Sequence, residues 1–304
     1  MQKYKHVIVF GIDGAGAFIR EADTPNFDRI FKDGAVTFDA LSCKPTISAE
    51  CWGAMLLGVG PEIHGLNNNI VTAEPYPTDS VFPTLFRRIR KVMPEAELGS
   101  FCEWNPISTG IVEADQNVTK VTARTVDLIP IICDYIKEKK PTFLFTQFDT
   151  VDAAGHNFGY GSDLYLQRIN LVDGLLNDVY ETLKGENMLD DTLFLLIADH
   201  GGTPFDGTGA RHGGWSDAEK YVTFAALGKG VKAGELGAVN IRDLAAVVLY
   251  ALGIEAPEFA EDGWTSQIPE GLFEDESIPA YRDISHLTGA ELRVSKAPHA
   301  TELL

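Results

Sequence analysis

The chain is poor in the features that would tie it to a membrane, a nucleic acid or an oxidising compartment. It has only four cysteines in 304 residues, Cys43, Cys51, Cys102 and Cys133, and none is spaced CxxC. Neither a disulfide framework nor a thiolate zinc site is indicated, and free thiols in a reducing compartment are expected. No apolar run approaches the ~18 residues needed to cross a bilayer. The opening stretch MQKYKHVIVFGIDG carries no long apolar segment ahead of a cleavage site. These absences predict a cytoplasmic protein without membrane contact. Cations are scarce too: 25 Lys and Arg stand against 44 Asp and Glu, a net charge of −19. That balance excludes a basic face for nucleic-acid backbone or anionic lipid. Bound metal cations could offset part of it locally.

What is present is enough apolar material, 45% of residues, to bury a large core. We read 1–304 as one domain. From about residue 257, Pro, Gly and acids displace the hydrophobic periodicity, and a peripheral C-terminal tail is expected. No internal repeat or low-complexity linker interrupts the chain.

The most informative stretch is Leu193–Gly202, LFLLIADHGG. Its unbroken apolar run fits a strand buried on both faces, and the paired glycines fit a sharp turn at the strand's carboxyl end. Asp199 and His200 stand at that end, where open α/β sheets bind ligands. The same pattern occurs twice more. Residues 5–12 form an apolar run followed by Asp13 and Gly14. Residues 142–148 form another, followed by Asp149, Asp152, Gly155 and His156. Strand-like and helix-like segments alternate along most of the chain, which predicts an α/β fold: a mostly parallel central sheet with helices on both faces. In such a sheet the three acidic strand ends converge on one edge. Together with His156, His200 and His212 they predict a metal site.

Between these strands, Thr24-Pro25 signals a helix start, 35–42 a strand, 80–92 an amphipathic helix and 96–103 a strand. Residues 104–120 read as an irregular loop. Long helices are expected over 121–139 and 162–184, a strand over 220–227, and a helix over 241–252 stopped by Gly253. Ser48 stands where a helix N-cap would be, and has two readings: a cap, or a nucleophile facing an anion site at the helix N-terminus. The run Asn67–Asn69 reads first as a surface turn and second as a reach toward substrate. Arg87, Arg88 and Arg90 read as a solvated face.

The motifs FGIDG, PTISAECWGAMLLGVGPEIHG, DTVDAAGHNFG, ADHGG and RHGG, in this order and each beyond an expected strand, resemble the alkaline phosphatase superfamily. The closest branch is the type I phosphodiesterase/nucleotide pyrophosphatase-like proteins, and the resemblance spans residues 5 to about 253. It implies two divalent cations, zinc ahead of manganese, around a Ser or Thr nucleophile. One cation would take Asp13, Asp199, His200 and the nucleophile oxygen; the other would take Asp152, His156 and His212. Asp149 would be a neighbouring partner or an alternative ligand. In the family the nucleophile lies ten residues before the glycine that closes the helix. Counting back from Gly58 gives Ser48, with Thr46 the alternative. Cysteine at that position marks sulfatases and is not found here. Cys51 stands where related nucleotide pyrophosphatases often carry Asn, a departure from the pattern, and His64 matches a histidine read as fixing a turn.

The resemblance implies hydrolysis of a small phosphate ester through a phosphoseryl intermediate, diester ahead of monoester. The alternatives within the superfamily are a phosphonate hydrolase and a phosphotransferase or mutase. The latter is disfavoured because the hundred or so residues between Ser48 and Asp149 are too few for the mutases' inserted domain. A non-enzymatic metal-binding protein has no use for the serine.

Overall fold

The computed structural model describes residues 3–284. Its frame is one eight-stranded sheet: β1 (His6–Ile12), β2 (Ala35–Leu41), β3 (Leu98–Cys102), β4 (Thr119–Val121), β5 (Phe143–Phe148), β6 (Thr192–Ala198), β7 (Tyr221–Leu227) and β8 (Gly234–Glu235). The spatial order is β4-β3-β5-β1-β6-β7-β2-β8. Every pairing is parallel except those of β7, which runs against both β6 and β2. The fold is the predicted mostly parallel α/β sheet. The three middle strands are buried along nearly their whole length, as expected of strands covered by helices on both faces. Phe10 of β1 and Phe148 of β5 bring their ring centroids to 4.5 Å within this core.

Around the sheet lie α1 (Pro25–Phe31), α2 (Ser48–Leu57), α3 (Pro61–His64), α4 (Asn68–Ala73), α5 (Leu85–Val92), α6 (Pro106–Gly110), α7 (Thr125–Lys139), α8 (Thr150–Phe158), α9 (Asp163–Gly185), α10 (Asp217–Lys220) and α11 (Leu244–Leu252). Helix α9 gathers α1, α7 and α8, while α2 packs with α3, α4 and α11. The strand expected over 96–103 is shorter, the helix expected over 241–252 opens with a 3-10 turn, Ile241–Asp243, before α11, and three further differences shape the fold. The segment 104–120 is not a bare loop, because α6 and the start of β4 lie within it. The helix expected from 121 begins at Thr125, because β4 adds to the edge of β3. The helix expected from 80 begins at Leu85, where the Thr84 side chain accepts from Arg87 N. The arginines on it are not all a solvated face: Arg87 Nη1 donates to Thr78 O at 2.5 Å, and Arg90 Nε to Gln116 O at 3.0 Å.

Register places the chemistry. Ile12 of β1 stands opposite Phe148 of β5 and Ala198 of β6. The next residue on each strand is an aspartate, so Asp13, Asp149 and Asp199 leave the sheet side by side at its carboxyl edge. This is where β1, with β5 on one side and β6 on the other, splits the crossovers in two directions, the place where open α/β sheets form their crevice.

The C-terminal segment is more than a peripheral tail up to Ile284; the rest lies outside the described residues. Trp264 is only 2% exposed, pairs with Val59 and lies against Gly58. Gly58 has φ +73°, and a Cβ there would meet the Trp264 ring at 2.3 Å. Ser266 Oγ accepts from Ala246 N at 2.8 Å, and the buried Asp243 carboxylate accepts from Gln267 N at 2.9 Å and from Tyr281 Oη at 2.7 Å. The segment therefore closes the end of α2, the helix that begins with Ser48. Trp264→Ala is expected to cost ~3–5 kcal/mol of stability, the usual loss for a buried aromatic, read as the midpoint of denaturant unfolding. A loss below ~1 kcal/mol would mark the segment as ornamental.

Candidate metal centre and active site

Helix α2 starts at Ser48, and the residue in the capping position is Ile47, whose side chain makes no cap. Ser48 therefore does not serve as the N-cap that one sequence reading assigned to it. Its Oγ is turned to His200 Nε2 at 3.4 Å. Thr46, the alternative nucleophile, spends its hydroxyl on the backbone: Oγ1 donates to Gly214 O at 3.1 Å and accepts from Gly213 N at 2.9 Å. That pair tethers the RHGG segment to the approach to α2.

Asp13, Asp199 and His200 have no exposed surface, and Asp152 is 8% exposed. Asp13 Oδ2 accepts from Trp52 Nε1 at 2.9 Å and Gln147 Nε2 at 2.8 Å. Asp199 Oδ1 accepts from Gly14 N at 3.0 Å and His200 N at 2.8 Å. The second oxygen of each acid, Asp13 Oδ1 and Asp199 Oδ2, has no hydrogen-bond partner. Both face His200 Nε2, at 3.5 and 3.4 Å. A neighbouring turn completes the cluster. Asp152 Oδ1 accepts from Tyr160 Oη at 2.6 Å, and Asp152 Oδ2 lies 3.2 Å from His156 Nε2. His156 and His212 approach through their Nε2 atoms at 3.2 Å, and the rings of His200 and His212 stack at 3.9 Å.

All three imidazoles follow one rule. Nδ1 of His200 meets Gly201 O at 2.9 Å, Nδ1 of His156 meets Ala210 O at 3.3 Å, and Nδ1 of His212 meets Thr46 O at 2.6 Å. A carbonyl accepts only, so each Nδ1 donates and, in the neutral ring, each Nε2 turns a lone pair inward. In the buried part of the cluster, two orphan carboxylate oxygens lie beside the inward lone pair of His200, and such groups are costly unless a cation sits among them; His212 and the exposed His156 carry the donor set toward the surface. The donor set fits divalent metals. Among the described residues, two groups have donor atoms close enough to share an ion: Asp152 with His156 and His212, and Asp13 with Asp152 and His200. Asp152 belongs to both groups. Asp199 approaches the second through His200, and Asp149 belongs to neither. Asp149 is joined to the cluster through Gln147 Nε2, at 3.4 Å.

The charge pattern has the same cause. Burial first, then the Asp152 charge, pushes Asp13 up to about 6. Burial, then Asp13, raises Asp199 as well. Burial, then Asp13, Asp152 and Glu103, pushes Asp149 to about 8. Burial would raise Asp152 as well, but the His156 hydrogen bond and the charges of His200 and His212 hold it well below the usual carboxylate range. His156 is raised, chiefly by its bond to Asp152, and burial lowers His212 to about 4.

Several supporting residues carried no motif. Gln147 is fixed by accepting from Trp104 N at 2.9 Å and so aims its amide at Asp13. Glu103 accepts from Asp149 N at 2.9 Å and Thr150 N at 3.1 Å, and from the Thr125 hydroxyl. It thereby holds the start of α8, which carries Asp152 and His156. Their signal was a polar residue in an otherwise apolar strand, or at its end. Of the asparagine run, Asn67 caps α4 and Asn68 Oδ1 accepts from Ala49 N at 3.0 Å, which places Asn68 beside Ser48. His64 fixes a turn, accepting from Leu66 N at 3.0 Å.

Cation binding must displace protons from the raised acids. A raised carboxyl is protonated below its folded value, so affinity for Zn²⁺ or Mn²⁺ is expected to fall as pH is lowered and Asp13, raised to about 6, and Asp199, also raised, take up protons. Titration against a chromophoric chelator across that range checks it; an affinity indifferent to pH would remove the buried acids from the binding site.

The comparisons with known proteins agree with this architecture. Murine ectonucleotide pyrophosphatase/phosphodiesterase 5, in an inactive form in complex with AMP, superposes with a TM-score of 0.67 at 16% identity, covering 84% of this chain and 96% of that one. The human form of that protein gives 0.67 at 15%, covering 83% and 96%. A 2-O GAG sulfatase gives 0.69 at 14%, covering 88% and 73%. At these identities the likeness is one of fold, that of the alkaline phosphatase superfamily. No curated protein sequence matches the chain. The family model described as type I phosphodiesterase / nucleotide pyrophosphatase matches residues 76–282, more than half of the chain and including Asp152, His156, Asp199, His200 and His212. The chain belongs to the type I phosphodiesterase / nucleotide pyrophosphatase family.

Proposed function

We propose that this protein hydrolyses phosphoric diesters through a phosphoseryl intermediate on Ser48, with two divalent cations, zinc ahead of manganese, as cofactors. The observation that carries the reading is the pair of orphan oxygens, Asp13 Oδ1 and Asp199 Oδ2, around His200 Nε2 with Ser48 Oγ beside it. Asp13, Asp199, His200 and Ser48 would hold one cation, and Asp152, His156 and His212 the other. The cations would supply positive charge that lowers the Ser48 hydroxyl pKa and offsets the charge of the transferred phosphoryl group.

The chain's own part is positioning. Ser48 Oγ lies 3.4 Å from His200 Nε2, too far for a firm hydrogen bond to a general base. Its place at the start of α2 sets it at the positive end of a ten-residue helix. Trp52 and Gln147 occupy one oxygen of Asp13 and so present the other. Asn68, anchored on Ala49 N, is placed to donate its amide to a phosphoryl oxygen. Gly14, at φ +67°, lets β1 turn under α8; a Cβ there would come within 2.8 Å of Asp152 Cα. In-line attack by Ser48 forms the O–P bond as the bond to the leaving alcohol breaks. Water then cleaves the phosphoserine and returns the hydroxyl.

All four cysteines are free and buried, which supports the reading of a cytoplasmic, reducing setting. No helix among the described residues is long and apolar enough to cross a membrane.

Bis-p-nitrophenyl phosphate and p-nitrophenyl phosphate, offered side by side to chelator-stripped protein with Zn²⁺ or Mn²⁺ restored, test the proposal. Diester turnover is expected to need the cation, to exceed monoester turnover, and to fall by roughly 10³-fold or more in Ser48→Ala. Thr46→Ala is expected to perturb it far less. Turnover that survives Ser48→Ala and is lost in Thr46→Ala would reverse the choice of nucleophile.

A further inference from the structure

The loop between Asp199-His200 and His212 has a shape that the metal cluster does not require. Thr203 and Arg211 pair as a short antiparallel bridge, with Thr203 N and Oγ1 both donating to Arg211 O at 2.9 and 3.0 Å. The hairpin base is tied to the cluster, because Ala210 O receives His156 Nδ1 and the next residue but one is His212. Between this hairpin and His212 lies a cavity of about 530 Å³, walled by Pro204, Phe205, Arg211, His212 and Glu219. Its size suits a small organic group.

Two features define what it would hold. The first is an aromatic ring left in the open. Phe205 is 58% exposed and Phe158, two residues beyond His156, is 47% exposed, in a chain that buries most of its phenylalanines. The two lie in one neighbourhood: a Cβ on Gly159 would stand 3.2 Å from Phe205 N and 3.7 Å from its ring Cδ2. The second is that the cavity's charges are already engaged. Arg211 Nη2 donates to Asp206 Oδ2 at 3.1 Å and Thr208 Oγ1 at 2.6 Å. Glu219 accepts from Gly214 N at 2.7 Å, Ser216 N at 2.9 Å and Ser216 Oγ at 2.6 Å. Arg211 is already paired with Asp206 and the Glu219 carboxylate is met only by neutral donors, so an anionic guest would find no free cation; a flat uncharged one would find a ring face.

Ser48 stands on the His200 side of the cluster. An in-line displacement sends the departing oxygen to the opposite side, toward Asp152, His156 and His212, and the cavity opens at His212. We propose that this cavity is the leaving-group subsite, that it takes an uncharged aryl group, and that Phe205 is the residue that sets this preference. The proposal rests on the catalytic reading given above.

Two diesters that share a retained methyl group and differ in the leaving group test it: methyl p-nitrophenyl phosphate and methyl 2,2,2-trifluoroethyl phosphate. Phe205→Ala is expected to raise KM for the aryl ester by about tenfold, the upper range for a lost aromatic contact, with kcat kept. Both constants for the trifluoroethyl ester are expected to stay, and Phe205→Trp to restore the aryl preference. Equal losses on both esters, or none on either, would overturn the assignment. Failure of the catalytic reading looks different, because the wild-type protein then turns over neither ester. In that event, binding of 1-naphthyl methyl phosphate to Ser48→Ala with Zn²⁺, followed by naphthalene fluorescence, decides the subsite alone. Binding weakened about tenfold by adding Phe205→Ala upholds it; binding absent or unchanged overturns it.

Discussion

The structure depends on one electrostatic constraint: buried carboxylate oxygens crowded around the His200 imidazole, two of them with no hydrogen-bond partner. Water cannot reach Asp13, Asp199 or His200, and Asp13 Oδ1 and Asp199 Oδ2 have no donor. A fold that closes over such a cluster accepts a local penalty, and divalent cations are the species that relieve it at several atoms at once. The surroundings serve this arrangement. Trp52, Gln147 and Gly14 N fix one oxygen of each acid so that the other has a defined direction, and three backbone carbonyls fix the tautomers of three histidines. These are the outer partners that a metal site needs to hold its ligands in place.

The sheet makes the cluster possible through register. Because Ile12 pairs with both Phe148 and Ala198, a one-residue change in any of the three strands would withdraw its aspartate from the edge. Helix α8 then lifts Asp152 and His156, one turn apart, over that edge, and Glu103 holds the helix start. Helix α2 brings Ser48 to the same place from the other side. Its far end is closed by Trp264 against Gly58, so the C-terminal segment and the site are joined through a single helix.

Much of this was legible in the sequence. The long apolar runs that end in Asp13, Asp149 and Asp199 identify buried parallel strands, and their shared ending marks one edge. Asp152 and His156 carry the spacing of one helical turn. The outer partners were hidden for a physical reason: Gln147 and Trp52 act through side-chain direction across strands and helices far apart in sequence, which no spacing records. Asp149 shared the strand-end pattern yet lies outside both donor groups, because pattern gives position but not which way a carboxylate points. The C-terminal segment lacked periodicity because it adds no regular element; it is held by single side chains, Trp264, Ser266 and Tyr281, on α2 and α11. Ser48 sat where a cap belongs, and only the backbone shows that Ile47 holds that place and leaves the hydroxyl for the cluster.

The most direct measurement is thermal unfolding of the chelator-stripped protein with and without added Zn²⁺ or Mn²⁺, in the wild type and in Asp13→Asn at neutral pH. Asp13 is raised to about 6 in the folded chain, so its ionised form opposes folding above that pH and the neutral amide does not. A cation at about 100 times its Kd is expected to stabilise the wild type by ~2.7 kcal/mol. Asp13→Asn is expected to be more stable than the wild type when metal-free and to lose most of the cation's effect. A wild-type melting temperature indifferent to both cations would contradict cation binding at this cluster.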